Sequence, residues 1–437
     1  MKLLTALFAL ALAFVSLPAQ AMTIEKIVSP AGIEAWLVRE SATPLVAMVY
    51  SFHGGSAQDP ADKAGAANLA ASLLDEGAGD LDSKAYHQRL ENHAIELAFR
   101  VGRDYFTGSL RTLTENRDEA FDLLNLALTA PRFDTDAVER IRMQMLASLR
   151  RDTTSPNDLA GKAWWAAAFP DHPYGRETKG TLATVPNVTA DDLRDYVHRV
   201  FARNELKIAI VGDIDAAAAG KLIDKAFGSL PAKNDLRPVP AIDLHGLGRQ
   251  IVTKVAVPQA VVTFGGPGLA RNDPDFMAAY IVNHIFGGGT FTSRLYTEVR
   301  EKRGLAYGVS DNMIWFKQAA VTVGGTATRA DRTGDAIAII QTEARRMAQD
   351  GPTAEELDKA KSYIKGSYAL TLDTSSKIAA QLVQIQTDNL GIDYIQRRSA
   401  MIDAVTLDDA KRVAKRLYGS GMLVSIAGEP KGVASSE

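Results

Sequence analysis

The sequence predicts an α+β fold of two homologous domains, each an antiparallel sheet packed with helices, joined by a linker. Three observations carry this. Strand-like runs and helical runs are grouped along the chain instead of strictly alternating, which is the signature of antiparallel strands with segregated helices. Pairs of markers recur at nearly one separation, about 217 residues: Val188 with Val405, Gly212 with Gly428, and Thr135 with Thr353. Between the two copies, residues 230–240 hold Pro231, Pro238 and Pro240 and no apolar period, so 231–240 is the linker. A chain of 437 residues is long enough for two such domains, assigned to 22–230 and 241–430.

In order, the first half opens with strand-like runs at 33–38 and 45–52. Helical patterns follow at 63–76 and 83–92. Alternating stretches at 96–101 and 105–110 precede helices at 116–129 and 135–151. Thr189 and Asp192, in a Thr-x-x-Asp arrangement, start a further helix, and a strand at 206–211 ends on Gly212-Asp213. The second half has a strand at 260–264, a turn at Gly265-Gly266-Pro267-Gly268, and a helix at 293–301. It closes with a Thr406–Asp409 helix start and a strand at 423–427 before Gly428-Glu429. Residues 431–437 read as a disordered tail.

The first 21 residues stand outside this scheme. Lys2, an apolar stretch at 3–17 and Ala19-Gln20-Ala21 form a cleavable secretory signal, so the mature chain is expected to begin at Met22. The apolar stretch is shorter than the roughly 20 residues a membrane span needs. The expectation is a soluble protein exported to a bacterial periplasm.

Composition narrows the chemistry. Hydrophobic residues at 46% and charged residues at 23% exclude disordered, collagen-like and coiled-coil classes. A net charge of -3 gives no general attraction to nucleic acid or anionic membrane. With no cysteine, zinc-finger, thiol-nucleophile and disulfide-scaffold readings fall together. Any metal site must therefore use the seven histidines and the carboxylates. His87 and His93 are about 240° apart around a helix and cannot share one ion. His53 and His172 are loop candidates, while His198, His245 and His284 are isolated. Gly287-Gly288-Gly289 lacks a P-loop lysine and reads as a flexible turn entering a helix. No G-x-S-x-G elbow is present. Trp164-Trp165 reads as packing or interface.

Two segments carry a family likeness. Residues 59–78, with Gly65-Ala66-Ala67 and Leu73, and residues 287–307, with Arg300-Glu301-Lys302-Arg303-Gly304-Leu305-Ala306-Tyr307, resemble the pitrilysin/insulinase metallopeptidases, the inverzincins. These include the mitochondrial processing peptidase and short bacterial members of two repeated domains. His172-Pro173-Tyr174-Gly175 and the Gly-Asp strand end are similar to that family too. The resemblance implies two domains facing a central cavity. It also implies an H-x-x-E-H helix whose histidines hold zinc and whose glutamate is the base, with a further glutamate about 75 residues on completing the site. Aligned on that pattern, the histidine positions hold Asn68 and Ser72, the base position holds Ala71, and the third-ligand position falls near Ser148. Alanine has no proton acceptor, and amide and hydroxyl groups are poor zinc ligands, so this zinc site is degenerate.

In the same family an arginine and a tyrosine seven residues apart reach across the chamber to the substrate backbone, beside the zinc held by the other half. Arg300 and Tyr307 keep that spacing. Apart from the resemblance they read as a helix-end arginine and a half-buried strand tyrosine. The combination implies a non-catalytic, substrate-contacting subunit of a two-chain periplasmic zinc metalloendopeptidase, with zinc in a homologous partner and none in this chain. A structural or peptide-binding protein of the same fold, and an active peptidase with a displaced metal site, are the alternatives.

Overall fold

The computed structural model describes residues 22–433, so the expected signal at 1–21 and the last four residues lie outside the described residues. The first half supplies β1 (Glu25–Val28), β2 (Glu34–Arg39), β3 (Leu45–His53) and α1 (Ala66–Ala71). A small ladder of β4 (Gly77–Ala78) with β5 (Leu81–Asp82) leads to α2 (Ser83–Asn92). The hairpin of β6 (Glu96–Val101) and β7 (Tyr105–Leu113) precedes α3 (Arg117–Thr129), α4 (Thr135–Asp152), α5 (Pro156–Ala168) and α6 (Ala190–Val200). β8 (Lys207–Gly212) and α7 (Ala216–Phe227) complete the unit.

The second half supplies β9 (Gln250–Thr253), β10 (Gln259–Pro267), α8 (Phe276–Asn283), β11 (Ala306–Trp315) and β12 (Ala320–Arg329). Then come α9 (Thr333–Asp350), α10 (Ala354–Tyr368), α11 (Ser375–Thr387), α12 (Tyr394–Asp403), α13 (Leu407–Tyr418) and β13 (Leu423–Ala427).

The duplication is visible in the sheets. The first has the order β1-β2-β8-β3-β7-β6, and the second, β11-β12-β10-β13-β9, is the same order read from the other end without the β1 edge. Neither sheet is wholly antiparallel: β2 runs parallel to β8, and β9 to β13. The closing strand of each half returns only after a long helical excursion, which is what a parallel neighbour requires. The repeats also share a packing device. Tyr50 lies across from Gly108, and Phe264 across from Gly324. A Cβ at Gly108 would sit 2.0 Å from the Tyr50 ring, and one at Gly324 would sit 2.5 Å from the Phe264 ring. Each aromatic ring therefore lies over a glycine that no larger residue replaces.

The halves exchange helices. α5, from the first half, packs on β10 and β13 of the second, and its Trp164 indole donates to Leu423 O at 3.1 Å. α11, from the second half, packs on β3 and β8, where the Gln386 side chain donates to Ile208 O at 3.0 Å. The two helices occupy corresponding repeat positions, so each sheet is covered by its neighbour's helix. This explains why β3 is buried almost end to end instead of alternating: both of its faces are covered. The interface is pinned at His172-Pro173-Tyr174-Gly175. The Tyr174 hydroxyl donates to buried Asp104 and accepts from Gln318 N at 3.2 Å, while Lys317 N donates to Asp104 Oδ2 at 2.8 Å.

Local differences from the sequence reading have identifiable causes. The helix expected at 63–76 is a short 3₁₀ turn followed by α1 alone, because Gly65 at φ +99° interrupts it and the chain turns again before Gly77. Gly265 and Gly266 continue β10 instead of turning, and a Cβ on Gly265 would meet Thr322 O at 2.1 Å. Gly287 and Gly288 belong to a π-helical turn, His284–Gly288, that prolongs α8. The connection without regular structure runs on from 231 to 249 and is not free: Arg237 exchanges hydrogen bonds with Gln58, and Ile242 N donates to Gln318 O. The expected tail begins docked, with Lys431 N donating to Ala330 O and Val433 packed on the second core.

Candidate functional site

The first group of positions lies on α1 and α4, which pack together. Asp59 sets the start of α1: its carboxylate accepts from Gly65 N at 2.9 Å and Ala67 N at 3.0 Å. Burial is the larger influence and pushes this carboxyl up to about 7, against the pull of those two donors. Six residues of helix then present half-buried Asn68 and buried Ala71, with exposed Ser72 just past the end. The Ser72 hydroxyl donates back to Asn68 O at 2.9 Å, so it is spent on the helix end. Ala71 and Ser72 line an open pocket with Asp75, Glu76 and, from α4, Gln144 and Met145. Asn68 and Ser148 do not line it; Ser148 sits half-buried farther along α4.

No carboxylate there replaces the missing ligands. Glu76 is held by Arg140 at 2.6 Å and 3.1 Å and by the Ser83 hydroxyl, and these partners keep its carboxyl below the usual range. Four of the histidines are engaged elsewhere. His53 Nδ1 lies 3.0 Å from Glu205 Oε2, His87 Nδ1 lies 2.8 Å from Ser83 O, and His172 bridges Tyr174 N and Pro240 O. Burial lowers the pKa of His284, which stacks on Tyr363. Among the described residues no three His, Cys, Asp or Glu side chains gather as a metal ion needs. Zinc does not fit this donor set.

The second group is assembled by two backbone irregularities. The segment Tyr296–Glu301 is π-helical, a form that concentrates at functional positions. After it, Gly304 at φ +57° turns the chain, with Gly304 N bonded to Arg300 O and Leu305 N to Val299 O. β11 then pairs with β12 from Ala306 but shifts register before Val309, a bulge that leaves Tyr307 and Gly308 outside the ladder. Thr326 and Thr328 satisfy the carbonyls this frees, donating to Gly308 O at 2.8 Å and Leu305 O at 2.6 Å. The bulge throws Tyr307 outward, 87% exposed, where the sequence suggested a half-buried strand residue.

Arg300 and Tyr307 meet. The guanidinium lies 4.5 Å from the centre of the Tyr307 ring and 4.9 Å from that of Tyr296, and it donates to the Tyr296 hydroxyl. Phe291, 67% exposed, sets its ring edge against Tyr296. Tyr296 and Phe291 were not singled out from the sequence. Tyr296 had a usable signal, since it stands four residues before Arg300 on one helix face. Chemically the patch offers a held cation and a phenol hydroxyl with no partner among the described residues, both donors suited to peptide carbonyls. It contains no base and no nucleophile.

Comparison with known proteins shows the family. Residues 36–182 match the family model for insulinase (peptidase family M16), and residues 187–364 match the model for the peptidase M16 inactive domain. A non-peptidase homolog from Helicobacter pylori is 28% identical over 364 residues, 83% of this chain and 84% of that protein. An uncharacterized zinc protease from Streptomyces coelicolor is 26% identical over 420 residues, 94% of this chain and 90% of that protein. The crystal structure of a peptidase M16 inactive domain from Pseudomonas fluorescens superposes with a TM-score of 0.87 at 26% identity, covering 95% of this chain and 99% of that one. The chain belongs to the insulinase, or M16, metallopeptidase family.

Proposed function

We propose that this chain is the non-catalytic, substrate-contacting subunit of a heterodimeric zinc metalloendopeptidase in the periplasm. One observation carries the reading: a chain with Asn68, Ala71, Ser72 and Ser148 at its zinc positions still builds an exposed Arg300–Tyr307 pair. A zinc-bearing homologous subunit cleaves the peptide, and this chain offers Tyr307 and Arg300 to backbone carbonyls of the bound segment. The non-peptidase description of the H. pylori relative supports inactivity of the chain alone.

The test is to ask whether the adjacent reading frame encodes a similar-sized exported chain with an intact H-x-x-E-H helix, and to reconstitute the two. Copurification and peptide turnover that needs both chains is the expected result. In that complex Tyr307→Phe keeps the ring over Arg300 and removes only the hydroxyl donor, so turnover falls about ten- to a thousandfold while assembly is unchanged. Full activity of assembled Tyr307→Phe and Arg300→Ala complexes makes the pair structural and favours the reading of a peptide-binding or structural protein.

A further inference from the structure

The second domain contains a cavity that the Arg300–Tyr307 patch does not use. It measures about 230 Å³, below the roughly 300–1,000 Å³ of drug-sized sites, so it suits a ligand with about one ring. Phe276, Tyr280, Trp315, Tyr368 and Tyr394 give it aromatic walls, and two guanidinium groups, Arg271 and Arg398, line it. Arg271 is fully engaged. It lies 3.6 Å from Asp388, donates to the Tyr394 hydroxyl at 2.9 Å, and covers the Phe276 ring at 4.1 Å. Its charge and that of Asp388 cancel.

Arg398 differs. It is 6% exposed, pairs with no carboxylate among the described residues, and makes one long hydrogen bond, 3.3 Å to Ile364 O. Its guanidinium lies 4.1 Å over the Tyr368 ring. The Tyr368 hydroxyl is itself buried without a partner among the described residues. A buried cation without a counter-charge and a buried hydroxyl without a bond are both costly, and one ligand group relieves both: an anion with several lone pairs. One uncompensated positive charge among aromatic walls matches a monoanion better than a phosphate.

We propose that this cavity binds a small monocarboxylate with an aromatic or branched apolar body. The carboxylate meets Arg398 and the Tyr368 hydroxyl, and the body lies among Phe276, Trp315 and Tyr394. Trp315 and Asp388 also line a wider groove that reaches Arg103 and Tyr105 of the first domain, which gives the ligand a way in between the domains. Free acids and the carboxy-terminal residue of a peptide share this chemistry.

The experiment titrates the mature chain with 3-phenylpropionate, N-acetyl-phenylalanine and the amide of each, following tryptophan fluorescence. Trp315 lines the cavity and is one of four tryptophans, so Trp315→Phe identifies the reporting signal. Saturable binding of at least one acid, about tenfold or more tighter than its amide, is expected. Arg398→Met, which keeps an unbranched chain over Tyr368, weakens it about tenfold or more, and Tyr368→Phe weakens it severalfold with the fold untouched. Preference for N-acetyl-phenylalanine identifies a peptide terminus as the source, and preference for 3-phenylpropionate a free acid. No saturation by either acid at millimolar concentration, equal binding of acid and amide, or undiminished binding by folded Tyr368→Phe and Arg398→Met overturns the proposal.

Discussion

Asp311 ties stability to pH through a single buried group. It lies on β11, fully buried under the π turn, where Oδ2 accepts from Asn283 Nδ2 at 2.8 Å and from the Tyr418 hydroxyl at 3.1 Å. Among the described residues Oδ1 has no partner, and no cation sits beside it. Burial raises its carboxyl from 3.8 to about 7 against those two hydrogen bonds. Because the folded value is raised, the native state holds a proton that the unfolded chain releases. Stability from this group is fully present below pH 3.8, falls as pH rises to about 7, and is flat above. At about 1.4 kcal/mol per unit, the loss at pH 8 is about 4 kcal/mol, and at pH 5 about 1–2 kcal/mol.

Asp311→Asn keeps the acceptor for Asn283 and Tyr418 and cannot ionise. Its amide NH₂ takes the place of the proton that the neutral acid carries there. The variant is therefore expected to exceed the parent in stability by about 4 kcal/mol at pH 8 and by only about 1–2 kcal/mol at pH 5. For a domain of this size the pH 8 gain corresponds to an upward shift of roughly 8–16 °C in its unfolding midpoint. Calorimetry of both proteins at several pH values reads the difference directly, since every other titration is common to the two. A gap that stays constant from pH 5 to 8, or a variant less stable at pH 8, refutes the reasoning.

Three further outcomes are expected. The purified chain carries no stoichiometric zinc and cleaves no peptide by itself, as elemental analysis with a peptide assay would report; one tightly bound zinc with chelator-sensitive turnover refutes this. Tyr174→Phe strips Gln318 N and Asp104 of a partner at the domain interface, at a cost of about 1–3 kcal/mol, and hydrogen exchange should rise first at Phe316–Ala319. Mass spectrometry of the protein from its native host should find Met22 as the first residue, and a full-length chain in the cytoplasm would end the export proposal.

The legible parts of the fold were those set by neighbours in the chain. Thr189 with Asp192 and Thr406 with Asp409 form reciprocal capping boxes where the sequence placed helix starts, because a cap is settled within three residues. Strand alternation gave β6 residue for residue, since an edge strand keeps one face in solvent. The repeat was legible too, because those local signals recur in order.

The tertiary structure decided what depends on distant chain segments. That α5 and α11 cover each other's sheets follows from shape and burial between halves, and nothing in either helix states its partner. Arg300 reaches Tyr307 only because a π turn, Gly304 and a β-bulge bend one short segment, and Tyr296 completes the stack. The uncompensated charge of Arg398 exists only because α12, α10, α8 and β11 close around it. Sequence alone supplies residue chemistry and local periodicity; burial, which decides whether a charge is answered, is a property of the packed chain.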